Sequence, residues 1–260
     1  MKSKNKQPTG PKILVLDIET TEMLVYSWGI GDQFIGHDDI AEDWSVLSWT
    51  AKWLDSKKIM YMDVRNEKNK RNDKKILVPL WKLLDEADIV ITQNGRAFDE
   101  KKIASRMVYH GMPPYSKFVH DDVLVINRKH FKHTSNKLAY VSQYLKADRQ
   151  KLTHKKFPGK TLWRECMKGN LEAFKEMKLY NNYDVLATED VYRKVKPWDN
   201  KVNHSVFHDG HVCSCGSTSF LKRGFRYSNT GKFQRYRCNK CGKEMSDSIN
   251  LLKDTKKMLR

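Results

Sequence analysis

The sequence predicts an α/β domain with a mixed sheet, followed by a small module held by cysteines. Three observations point there. Apolar runs of strand length open the chain, stretches with helical spacing then alternate with further strands, and four of the five cysteines crowd into residues 213–241.

Residues 1–11 place Pro8, Gly10 and Pro11 among basic and polar side chains and read as a flexible basic arm. KILVLDIET, residues 12–20, then suits a buried strand. Segments 23–30, 45–50 and 58–64 are β-rich and suggest a meander after that strand. The tract 66–75, almost wholly charged or Asn, reads as a solvated loop. From Asp73 onward Ile76, Leu77, Leu80, Leu83 and Leu84 recur at three- and four-residue spacing, the mark of a helix with one apolar face. ADIVITQN (87–94) predicts a second buried strand, and 98–111 a helix stopped by Gly111 with Pro113 and Pro114 beyond it. Further helices fit 121–131, 136–146 and 170–196.

The charge narrows the function. Lys and Arg number 49 against 31 Asp and Glu, a net +18, which points to a polyanionic partner: nucleic acid or an acidic membrane surface. Residues 201–260 hold 13 Lys and Arg against 4 Asp and Glu, so under a quarter of the chain carries half the excess. With the cysteine clustering, that asymmetry sets a boundary between a domain at 12–200 and a module with a basic tail at 201–260. No apolar run approaches the roughly 20 residues that span a bilayer, and no helix segregates its lysines opposite a large apolar face, which speaks against a membrane partner. Clustered cysteines without a secreted disulfide framework suit a soluble, cytoplasmic protein of a bacterial or phage-infected cell.

The chemistry sits where acids meet apolar runs. Asp17 and Glu19 end the first strand, and residues two apart on a strand project from one face. Crowded carboxylates repel unless a divalent cation joins them, although a solvated strand end is the plain alternative. Asn94 and Gly95 make a turn after the second strand, and Asp99 opens a helix whose dipole favours an acid there. Tyr180 and Asp184, one turn apart, share a face of the last long helix. Asp121 and Asp122 read as helix caps. His120, His130, His133 and His154, set among lysines and unspaced for ligation, read as a solvated basic face.

Asp17-x-Glu19, Asn94-xxx-Phe98-Asp99 and Tyr180-xxx-Asp184, in that order, resemble the three motifs of the DnaQ-like 3′–5′ exonucleases, the DEDD superfamily with an RNase H-like fold, in its Tyr-bearing branch. The phrase NGRAFD is similar to the proofreading exonuclease domains of family-B DNA polymerases; with no polymerase domain following, a free-standing nuclease is expected. The resemblance spans about residues 12–196. It implies a metal-dependent 3′–5′ exonuclease that releases nucleoside 5′-monophosphates. It also implies two Mg²⁺ or Mn²⁺ ions: Asp17 bridging both, Glu19 and Asp184 completing one site, Asp99 supporting the other. Tyr180 would orient the attacking water, since a phenol near pKa 10 is a poor base at neutral pH. Asn94 and Phe98 would touch the terminal nucleotide. Single-stranded DNA is the expected substrate; the same chemistry on RNA, or a non-catalytic nucleic-acid-binding protein on a nuclease scaffold, are the alternatives.

Cys213-x-Cys215-Gly and Cys238-xx-Cys241-Gly, 22 residues apart, form two knuckles around a predicted hairpin, and resemble a zinc ribbon with one structural Zn²⁺. The first knuckle is one residue tighter than usual, so His211 stands as an alternative ligand to Cys213. The hairpin sets Arg223, Arg226, Arg235 and Arg237 among aromatics, a pattern suited to gripping phosphates and stacking bases. Lys253 to Arg260 extend the charge as a tail, and Cys166 is expected as a buried helical residue without chemistry. Nothing in the sequence speaks to protein partners, to oligomeric state or to the pathway served.

Overall fold

The computed structural model describes residues 10–252; all but the end of the basic arm, and the tail from Lys253, lie outside these residues. Strand β1 (Ile13–Thr20) is followed by the short pair β2 (Leu24–Val25) and β3 (Ile40–Glu42), then β4 (Val46–Trp53) and β5 (Ile59–Asp63). Helix α1 (Lys74–Glu86), β6 (Ile89–Thr92), α2 (Asp99–Tyr109), β7 (Val119–Asp122) and α3 (Val123–His130) come next. Helices α4 (Leu138–Tyr144), α5 (Thr161–Met167) and the 25-residue α6 (Leu171–Val195) complete the larger unit.

Five strands form one sheet in the order β5-β4-β1-β6-β7. The meander pairs β1, β4 and β5 antiparallel, while β6 and β7 lie parallel to β1, so the sheet is mixed as expected. Alternation along the strands assigns the faces. Trp49 of β4 sends its indole N–H to the Ile76 carbonyl of α1, 2.7 Å away, on one face. The opposite row on β4 (Lys52, Thr50, Ser48) pairs with Val15, Asp17 and Glu19 of β1 and meets α6. Lys52 binds Glu189 at 2.6 Å, Thr50 donates to Asn182 at 3.0 Å and Ser48 to Asn181 at 3.1 Å. Asn170 caps α6 by accepting from the Glu172 and Ala173 amides, and its apolar residues enter both hydrophobic clusters.

The structure differs from the sequence-based expectations in three places. Segment 23–30 contributes only the two-residue β2; Trp28, Ile30 and Phe34 are fully exposed on the excursion that returns through β3. Residues 119–122 form the strand at the β6-side edge of the sheet rather than the start of a helix. Asp122 does cap α3, accepting from Leu124 N at 2.9 Å, but Asp121 is buried and accepts from Tyr192 Oη at 3.0 Å and Lys196 Nζ at 2.7 Å. The histidines are also more enclosed than a solvated face. His120 is buried against Thr92 and Glu100, His130 binds Asp199, His133 stacks on Phe131, and His154 packs beside Trp163. Cys166 is buried in α5 as expected.

After α6 the chain enters a three-stranded sheet, order β10-β9-β8, from β8 (Phe220–Ser228), β9 (Gly231–Cys238) and β10 (Glu244–Ser246). No described helix is long and apolar enough to cross a membrane.

Candidate active site and cysteine cluster

Asp17 and Glu19 stand half-buried on the α6 face of β1, and the strand bulges immediately after Glu19. From α6, Asp184 brings its carboxylate to them: one oxygen from each of the three lies within 4.8 Å of the others. Asp99 arrives by a different route. The chain turns at Asn94, whose φ of 68° is left-handed, and Gly95 packs so closely on Thr92 that a Cβ would stand 2.3 Å from Oγ1. Asp122 fixes the turn by accepting from the amides of Asn94 (2.9 Å) and Arg96 (3.1 Å). Asp99 then opens α2 buried, its Oδ1 accepting the Ile18 amide at 3.0 Å beyond the end of β6. It borders the three-acid cluster rather than joining it. Asn94 is exposed beside the cluster, and Phe98 is partly exposed next to Asp99.

All four carboxylates are held above their ordinary pKa. Burial, then Asp184 and Asp99, raise Asp17 strongly. Burial and Asp184 push Glu19 up to about 8, and burial pushes Asp99 up to about 7. Asp184 is raised by burial against the opposing pull of Lys151. Tyr180 is pushed up to about 12 by burial and then by Asp184, so its hydroxyl stays protonated at neutral pH.

Residues that the sequence reading did not single out for the site support this cluster. Asn181, fully buried, donates to Asp17 Oδ2 at 2.6 Å. Trp163 donates to Glu19 Oε2 at 3.1 Å. Lys151 reaches Asp184 Oδ2 at 2.5 Å and lies 4.3 Å from the centroid of the Tyr180 ring. Arg149, two residues earlier, is anchored by its amide and guanidinium on Asp190. His154 donates to the Phe157 carbonyl and closes an edge-to-face trio with Trp163 and Tyr180. The signal for Asn181 is faint but present, since it sits between Tyr180 and Asp184; Lys151 and Trp163 come from a loop and a helix that no motif marks.

The donor set fits divalent metal. Three acidic side chains converge, their charges are poorly matched by one lysine, and Asp184 Oδ1 is buried with no hydrogen-bond partner among the described residues.

A family model of the RNase H superfamily matches residues 44–196, more than half of the chain. The chain belongs to the RNase H superfamily. Among solved structures, this RNase H-like chain is similar to the family B DNA polymerase from the hyperthermophilic archaeon Pyrobaculum calidifontis, with a TM-score of 0.50 at 13% identity. The likeness covers 75% of this chain and 26% of the polymerase, so the chain spans about a quarter of that protein's length and shares its fold there. No curated protein matches.

The second cluster is the four thiols of Cys213, Cys215, Cys238 and Cys241, all within 4.8 Å of one another. The Cys213–Cys241 and Cys215–Cys238 sulfurs lie 3.5 and 3.6 Å apart, close to the ~3.8 Å edge of a tetrahedron with 2.3 Å metal–sulfur bonds. Gly216 and Gly242, at φ 79° and 75°, turn the two knuckles. Cys213, rather than His211, completes the cluster of four thiols, and His211 packs on Tyr236 and Phe220. Of the hairpin arginines, Arg223, Arg226 and Arg237 are exposed and Arg235 is half-buried, donating to the Arg223 carbonyl.

Proposed function

We propose that this RNase H-like protein is a metal-dependent 3′–5′ exonuclease of the DEDD type that degrades single-stranded DNA to nucleoside 5′-monophosphates. Residues 12–200 would form the nuclease and residues 201–260 a zinc-held module that grips the strand. The observation that carries the reading is the convergence of Asp17, Glu19 and Asp184, with Asp99 beside them, and a buried Asp184 oxygen that has no partner among the described residues.

When bound, divalent cations would supply positive charge at the scissile phosphate and ease deprotonation of the attacking water. Asp17, Glu19, Asp184 and Asp99 would hold them. Asn181 and Trp163 fix the rotamers of Asp17 and Glu19, so the acids are set before substrate arrives. The protonated Tyr180 hydroxyl orients the attacking water, and Lys151 opposes the upward pull of burial on Asp184 and adds a cation facing the phosphate. A basic groove of about 500 Å³, lined by Asn94, Arg128, Lys137 and Lys151, leads the strand to this point. DNA is favoured as substrate because the structural neighbour is a DNA polymerase.

Digestion of 3′- and 5′-labelled DNA and RNA oligonucleotides, single- and double-stranded, with Mg²⁺ or Mn²⁺ or in EDTA, tests the reading. Metal-dependent shortening of single-stranded DNA from the 3′ end is expected. Shortening from the 5′ end, or none with either metal, overturns it.

A further inference from the structure

A cleft of about 610 Å³ lies between the segment from Asn200 to Val206 and the three-stranded sheet, and shares no residue with the carboxylate site. Its volume is in the range of small-ligand pockets. Four of its lining residues make it unlike a solvated seam. His211, free of any role at the metal, lies 5.3 Å from Tyr236, ring centroid to centroid. Together they present an aromatic wall. Lys243, 3% exposed, donates to the Asp199 carbonyl at 2.7 Å and to Ser214 Oγ at 3.2 Å, which uses two of its three N–H groups. His204, 5% exposed, has its Nε2 without a hydrogen-bond partner among the described residues. Such an atom is costly to bury, and it lies enclosed in the floor of the cleft.

Burial, with Lys196 and Lys243 nearby, pulls the His204 pKa down to about 4, so the ring is neutral at physiological pH. The floor of the cleft at this point therefore carries no charge. At the rim Arg226 is exposed, engaged through Nε with Ser246 and lying over Phe233, with its terminal nitrogens turned to no acidic partner among the described residues. A bare phosphate would ask for several converging cations. Of the two edge strands that reach the cleft, β10 is only three residues long and β8 enters it through Phe220 and Arg226, little for an extended peptide to pair with. A stacking wall over a floor uncharged at His204, with one cation at the rim, matches a single nucleotide.

We propose that this cleft is a nucleotide-binding site that stacks one unpaired base on His211 and Tyr236 and takes its phosphate on Arg226. Within the exonuclease reading, on which it rests for its substrate, the site would hold the strand at a distance from the reacting end. The shared chemistry, a base with its 5′-phosphate, could come from the strand or from a free nucleotide.

The test uses the full chain without added Mg²⁺ and measures anisotropy of fluorescein-labelled oligothymidylate and of an abasic strand of equal length. His211→Ala removes half of the wall. Val206→Trp, at a position 72% exposed, places an indole in the cleft without disturbing the core. Zinc content and melting temperature check that each variant is folded. Both variants should bind oligothymidylate about tenfold more weakly and the abasic strand with wild-type affinity. Equal weakening on both strands, or none on either, overturns the proposal. If thymidine 5′-monophosphate displaces the strand with the same variant dependence, the cleft takes free nucleotide; if it does not, the base-dependent binding belongs to the strand. Hydrolysis of the p-nitrophenyl ester of thymidine 5′-monophosphate, too small to span both sites, reads the carboxylates alone. Its absence in the wild-type chain would defeat the exonuclease reading while the base dependence still decides the cleft.

Discussion

Lys151 and Asp184 form an ion pair of 2.5 Å at the centre of the carboxylate cluster, and the same ammonium lies against the ring of Tyr180. The pair links the two halves of the third motif to a loop more than thirty residues upstream. One positive charge thus sits among four acids before any substrate is present. Its position is fixed by the clamp of Arg149 on Asp190, so it is preorganised rather than recruited.

Lys151→Met keeps the buried stem and removes the charge. The rate of single-strand digestion at saturating substrate should fall about 10²-fold, the usual cost of removing one preorganised charge from a reacting centre. Binding of the strand should weaken only by the one cation that the groove loses, so the rate falls further than the affinity. A variant with wild-type rate would show that the ammonium serves only to hold the loop.

Asp17→Ala and Asp184→Ala should each abolish cleavage while leaving nucleic-acid binding largely intact, because both variants keep the cations of the groove and the ribbon. Asn181→Leu is the finer probe. It removes the 2.6 Å donor to Asp17 at similar volume, and should lower the rate while the metal concentration needed for half activity rises. Full activity of either alanine variant in Mg²⁺ or Mn²⁺ would end the assignment.

The raised acids predict a pH signature. Glu19 titrates near 8 in the folded chain and near 4.5 unfolded, so its ionisation is disfavoured by folding. The metal-free protein therefore loses stability from this group as pH rises from about 4.5 to about 8, with no further loss above that. Glu19→Gln lacks the titration. The melting temperature of this variant relative to wild type, both metal-free, should climb across that window and then level off. A difference independent of pH would refute the coupling. In the wild-type chain, added Mg²⁺ should stabilise most at the alkaline end, where its ligands are already deprotonated.

Gly95→Ala asks whether the turn before Asp99 is as tight as its geometry states. The added Cβ would meet Thr92 Oγ1 at 2.3 Å, and Thr92 is itself buried and bound to His120. A cost of about 1–3 kcal/mol in urea unfolding is expected, as for overpacking. Activity should fall further than stability, since Asp99 is positioned by this turn.

How much of the site could be read from the sequence follows from which forces are local. Asp17 with Glu19 and Tyr180 with Asp184 were legible because strand and helix periods alone decide which side chains share a face. Asp99 was legible because turn residues and a helix start are written side by side. Strand β7 was not: Val119–Asp122 carries a His and two Asp where a buried strand should be apolar, and those acids bind Tyr192, Lys196 and the Asn94 turn, all distant in sequence. Lys151, Trp163 and His154 were likewise hidden, since only the packing of α5 and the preceding loop on α6 gives them neighbours. Apolar content misled once, at Trp28, Ile30 and Phe34, where large side chains face solvent on a segment, 22–43, that has six acids and no Lys or Arg.

The cysteine cluster offers the last prediction, and it separates grip from chemistry. Arg223, Arg226 and Arg237 face solvent on a sheet that the four thiols hold together. Replacing all three with Gln leaves the thiols and the cluster of acids untouched. Each phosphate left without its arginine should flatten the dependence of log affinity on log salt by about 0.7 for a single strand, so three of them would take about 2 from the slope. Hydrolysis of a mononucleotide ester should be unchanged. Cys215→Ser should flatten the salt slope as well, but with loss of zinc and of the β8–β9 fold, because so small a module has little core of its own. A triple variant whose slope matches wild type would mean that the ribbon's charge serves something other than the strand, and the excess of +9 in residues 201–260 would then have to be assigned to a different polyanion.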